Sequence, residues 1–148
     1  MLSDLLDVSK LEAGRLEITD DYPATEAPHL ATVYSPDLNA LFLSDLGYNR
    51  VHLWMGDDIS LPRVEAWRAE LVKLAARYAD RQPRLFPGHG APGGLRMLDA
   101  QIGYIDDYLR VVRGAVSQEE AMQRMKALYP GYDQADFFLK YSVLNHVK

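Results

Sequence analysis

The 148-residue sequence contains no cysteine, so neither a disulfide nor a thiolate ligand is available. Any metal must therefore be held by carboxylates and the four histidines, His29, His52, His89 and His146. Positive charge is in short supply as well. Sixteen Lys and Arg stand against 21 Asp and Glu, a formal net charge of -5, which disfavours nucleic-acid binding through bulk charge. No apolar run approaches the roughly 20 residues that span a bilayer, and the N-terminus lacks the basic start and apolar core of a signal peptide. The chain reads as soluble and cytoplasmic, without a membrane or nucleic-acid partner. What is present, 48% hydrophobic and 25% charged residues, is enough apolar mass for one core.

Leu2, Leu5, Leu6, Val8 and Leu11, spaced among charged residues, predict a short amphipathic helix over 1–13, ended by Gly14. Leu16 to Thr19 can begin an extended segment, and Asp20, Asp21, Pro23 and Pro28 break the pattern into a loop or linker. Leu30 to Ser35, the Pro36-Asp37 turn and Ala40 to Leu43 predict a β-hairpin whose return strand stops at Ser44-Asp45. Residues 47–61 show no period and read as an ordered loop. Val64, Trp67, Leu71, Leu74 and Tyr78 form the stripe of a helix over about 61–80. Arg84 to Phe86 is a short strand that runs directly into Pro87-Gly88-His89-Gly90. A helix through Met97 to Val112 follows, and two more near 117–128 and 133–144 finish the chain.

Asp45 at a strand end and His89 in a glycine-bracketed turn occupy the places where an α/β sheet exposes polar groups. His29 begins the strand whose hairpin partner ends at Asp45, so a divalent metal could link all three, with zinc, manganese or iron suited to two imidazoles and a carboxylate. Each residue also has a plainer reading: His29 as a surface residue, Asp45 as a turn former, His89 as part of a tight turn. His52 either contacts substrate or packs near Trp54. His146 reads as solvated, and Trp67, Tyr104 and Tyr108 as core.

The run from Ala31 through Asp45 to Asn49, then Val51-His52-Leu53-Trp54, then Phe86-Pro87-Gly88-His89-Gly90, resembles the second half of a metallo-β-lactamase-fold hydrolase, from about residue 22 to 148. Ser44 stands where that pattern usually has glycine. The His-x-His-x-Asp-His motif of the family is absent, as is the Thr-Pro-Gly segment that commonly follows the first of these histidines. The resemblance implies that His29, Asp45 and His89 are metal ligands, with zinc the first choice and Asp45 bridging two ions. It further implies metal-activated water attacking a phosphoester, lactone or other activated ester, with His52 orienting substrate or passing a proton. Asp4, Asp7, Asp20, Asp21 or Glu26 could complete coordination.

Residues 1–18 are similar to the end of a sensor histidine kinase dimerisation helix, so 1–21 divides off as a kinase-like helix and linker from a truncated hydrolase domain at 22–148. The fold this implies is α/β: half of an αββα sandwich, a small sheet flanked by helices and completed by homodimerisation. The competing reading is a non-catalytic dimeric fragment that keeps the fold without the chemistry.

Overall fold

The structure is a computed structural model that describes residues 15–148. The predicted helix over 1–13, and most of the kinase-like segment, lie outside the described residues.

Four strands form one sheet in the order β1-β2-β3-β4: β1 (Glu17–Thr19), β2 (Thr32–Ser35), β3 (Ala40–Tyr48) and β4 (Arg84–His89). The first three are antiparallel, and β4 joins β3 in parallel. The hairpin is as predicted, with Asn39 in a left-handed conformation at φ 46° closing its turn. Within the stretch Leu16 to Thr19, expected to begin an extended segment, Glu17–Thr19 forms β1 and pairs with β2 through Glu17 and Tyr34. One expectation shifts: β3 does not stop at Asp45 but runs on to Tyr48.

Tyr34, Leu41 and Leu85 are neighbours across β2, β3 and β4, and all are 5% exposed or less. That face is covered by α1 (Leu61–Arg77) and α2 (Arg96–Gly114). Helix α1 starts where Ser60 accepts from the Arg63 amide and Pro62 presets the first turn, and it buries Val64, Trp67, Leu71 and Leu74. Helix α2 buries Leu98, Tyr104, Ile105 and Tyr108 on the matching stripe. The opposite sheet face carries a second cross-strand row, Ile18, Val33, Phe42 and Phe86. Its Phe42 and Phe86 rings stack at 4.8 Å, and Ile18 and Phe42 are exposed.

Helix α3 (Gln118–Leu128), a π-helical turn (Ala135–Leu139) and α4 (Lys140–His146) close the chain. Among the described residues no helix is long and apolar enough to cross a membrane.

Candidate functional site

The site is built where β3 leaves regular pairing. From Phe42 to Tyr48 the chain takes six residue steps while β4 takes three, from Phe86 to His89. The surplus residues must arch out of the ladder. Ser44 takes up the bend with φ 53°, a left-handed conformation that favours glycine and explains why glycine suits this position. The arch brings Asp45 over Gly88. A Cβ on Gly88 would lie 2.4 Å from Asp45 Oδ1 and 2.7 Å from the Ser44 carbonyl oxygen, so only glycine permits the approach. On the other side of His89, Gly90 has φ 97° and packs against the Asn49 backbone, where a Cβ would come within 2.1 Å of the carbonyl oxygen. The Asn49 amide donates to the His89 carbonyl at 2.9 Å, and its side chain donates to the Ala91 carbonyl at 2.8 Å.

The outcome is a pair: His89 Nε2 stands 3.4 Å from Asp45 Oδ1, and each side chain keeps more than a third of its surface open. Inside the arch the lost ladder bonds are replaced by side chains. Gln101 donates to the Leu46 carbonyl and accepts from the Tyr48 amide, both at 2.9 Å, and the Trp67 indole N–H also donates to the Leu46 carbonyl at 2.9 Å. Gln101 is 3% exposed. A buried amide with both ends bonded to one strand is a positioning device, since leaving those backbone groups bare would cost about 1–3 kcal/mol each. Its role was hidden in the sequence because Gln101 sits among apolar residues of a helix with no local signature.

Two more groups face the pair. Glu26, half-buried on the loop before β2, has its carboxyl raised to about 7, first by burial and then by the Asp45 charge, against the opposing pull of Arg63. The Tyr48 ring lies against the His89 ring, with centroids 4.6 Å apart and planes tilted by 34°. Burial, Glu26 and Asp45 together push the Tyr48 hydroxyl up, so it stays protonated.

The other sequence candidates end up elsewhere. His29 is exposed on the loop between β1 and β2. Among the described residues no three His, Cys, Asp or Glu side chains are close enough to share a metal ion, so the expected triad reduces to Asp45 and His89. His52 is 1% exposed and its Nδ1 is hydrogen-bonded to the Tyr104 hydroxyl at 2.8 Å. Burial, with a smaller push from Lys126, lowers it to about 4 and keeps it neutral. The substrate-contacting reading of His52 therefore gives way to a core role, because the loop that carries it folds inward against α2. His146 is likewise not solvated: it is half-buried, with Nδ1 2.6 Å from the Tyr108 hydroxyl and Nε2 2.7 Å from the Ile59 carbonyl.

No protein-family model matches the sequence, and no curated protein does. Among solved structures, the stereoselective inverting sec-alkylsulfatase Pisa1 from Pseudomonas sp. is similar over 88% of this chain at 16% identity, with a TM-score of 0.62. A double mutant of the sec-alkyl sulfatase PisA1 is similar over 86% of the chain at 17% identity, with a TM-score of 0.58. These are metallo-β-lactamase-fold chains. The fold is half of that architecture. The chain spans 23% of the length of each of these neighbours.

Chains of the metallo-β-lactamase fold usually bind a divalent metal, and the chemistry of the donor pair bears on whether it suits one. A tetrahedral zinc with bonds of about 2.0–2.1 Å sets neighbouring donors roughly 3.4 Å apart. Asp45 and His89 have that separation and mixed imidazole and carboxylate chemistry. They fit two positions of a coordination shell and leave the others to groups beyond this pair.

Proposed function

We propose that the chain supplies Asp45 and His89 as two ligands of a divalent metal centre, zinc by preference, in a hydrolase that acts on an activated ester such as a phosphoester or lactone. The observation that carries this reading is the 3.4 Å spacing of the two donors, enforced by the arch in β3 and by Gly88 beneath it. When bound, such an ion supplies an acidified water and a Lewis acid for the ester oxygen. The chain's own residues hold the geometry: Gln101 and Trp67 fix the strand that bears Asp45, Asn49 fixes the turn that bears His89, and Tyr48 backs the imidazole.

The open row of Ile18, Val33, Phe42 and Phe86 supports a second proposal, that two copies of this chain pair sheet against sheet about a twofold axis. Ser44 and Phe42 are both exposed on β3, so the row leads to the donor pair, and a second copy can bring further donors to a site that one copy leaves incomplete. A competing reading, a non-catalytic fragment that keeps only the fold, draws its support from the absence of a third ligand among the described residues.

Metal content after equilibrium dialysis against zinc, combined with hydrolysis of phosphoester and lactone panels with and without chelator, separates these readings. Asp45→Ala and His89→Ala are expected to lower metal affinity at least tenfold and to abolish chelator-sensitive hydrolysis, while the exposed His29→Ala changes neither by more than about twofold. Hydrolysis that survives chelation and both ligand substitutions would overturn the proposal.

A further inference from the structure

A row of aromatic rings leads outward from His89, and the catalytic reading leaves it without a task. The Phe138 ring meets the His89 ring edge-on, 5.2 Å away at 88°, and the Trp54 ring at 5.7 Å. Trp54 in turn stacks on Phe137 at 5.8 Å and 20°, and Phe137 meets Tyr141 at 5.2 Å and 70°. Phe137 and Tyr141 are 52% and 42% exposed. Gly56 is what lets Trp54 lie flat, since a Cβ there would come within 2.8 Å of the indole.

The arrangement comes from the π-helical turn Ala135–Leu139, entered through Gln134 in a left-handed conformation at φ 67°. In a regular α-helix successive residues point about 100° apart. The wider turn lets Phe137 and Phe138 both reach Trp54, one facing outward and the other toward His89. Single π-helical turns are frequent at functional sites, and their irregular bonding needs a compensating use. Phe137 and Tyr141 meet near a right angle and each keeps much of its ring surface open, and an exposed ring accepts another flat ring by offset stacking or edge contact.

We propose that Trp54, Phe137 and Tyr141 bind the apolar, ring-bearing part of the ester whose reactive group lies at Asp45 and His89, so that the substrate class is aryl esters rather than small polar ones. This inference rests on the functional reading above for the orientation of the ligand, while the shelf itself is tested by binding alone.

The probe is 2-naphthoate, with acetate as control, titrated into chelator-treated protein and followed by the indole N–H proton signals of the two tryptophans. Trp54 lies in the shelf, whereas Trp67 is fully buried with its N–H bonded to Leu46, so it is the internal reference. The expected result is a saturable shift of the Trp54 signal with naphthoate and none with acetate, and an affinity at least tenfold weaker in Phe137→Ser and in Tyr141→Ser. Both substitutions remove exposed rings and leave the core untouched. A Trp54 signal that does not move, or affinities unchanged in both variants, overturns the shelf. So does a change in light-scattering mass in these variants with naphthoate affinity intact, which reassigns the rings to a protein contact. Naphthoate binding without hydrolysis of any naphthyl ester upholds the shelf and removes the hydrolase reading, while chelator-sensitive hydrolysis with equal KM for methyl and naphthyl esters does the reverse.

Discussion

Gly88 lies directly beneath Asp45, close enough that an added Cβ would stand 2.4 Å from the carboxylate oxygen and 2.7 Å from the Ser44 carbonyl oxygen. One of these contacts is backbone, which cannot swing aside. Gly88→Ala is therefore expected to push the arch of β3 away from β4, separate Asp45 from His89, and destabilise the fold by about 1–3 kcal/mol, the usual cost of overpacking. Gly94→Ala is the control, because nothing lies within 4 Å of its added Cβ. Thermal denaturation and zinc affinity of the two variants check the claim: equal behaviour would show that the glycine is not what permits the approach.

Ser44 holds φ 53° at an exposed position of the arch. A left-handed conformation costs a residue with a Cβ about 1–2 kcal/mol, and glycine gives back about 0.5–1 kcal/mol through the entropy of the unfolded chain. Ser44→Gly should stabilise the protein by up to about 1 kcal/mol, and Ser44→Val should weaken it. Urea titration measures both, and a destabilised Ser44→Gly would mean that the hydroxyl, not the backbone, governs this position.

His52 is buried beside Tyr104 with its imidazole lowered to about 4, chiefly by loss of solvent and then by Lys126. Between pH 6.5 and pH 4 the unfolded chain therefore takes up a proton that the folded chain refuses. Stability is present above this window and is lost as the pH falls through it, with a slope of up to about 1.4 kcal/mol per pH unit from this residue. His146, also lowered by burial, adds in the same direction. His52→Asn, which keeps a polar atom for the Tyr104 hydroxyl, should flatten the fall in unfolding free energy between pH 6.5 and 4, and an unchanged slope would assign the acid sensitivity elsewhere.

Phe42 is 40% exposed at the centre of the open sheet row, stacked on Phe86. If that row pairs two copies, Phe42→Asp places a charge on each side of the contact and should weaken association at least tenfold. Light scattering over a dilution series reads the effect. A wild-type monomer at micromolar concentration would show that the row stays open to solvent.

Where apolar periodicity and turn chemistry were strong, local sequence was sufficient. The stripe Val64, Trp67, Leu71 and Leu74 placed α1, Pro36-Asp37 placed the hairpin, and the glycines around His89 marked a turn, whose close backbone approach at Gly88 and Gly90 only the structure shows. His89 was legible as a polar residue at a strand end, whereas Asp45 was singled out on the same ground although β3 runs past it to Tyr48. What the sequence could not carry was anything that depends on which segments face each other. The left-handed turn at Ser44 and the extra residues of β3 have no periodic signature, and they are what aim Asp45 at His89. The inward fold of the loop bearing His52, the exposure of His29, and the grip of Gln101 on β3 are products of packing between residues some fifty positions apart or of its absence. Side-chain chemistry along the chain named the candidates, and burial, which only the assembled core assigns, decided which of them still meet solvent and each other.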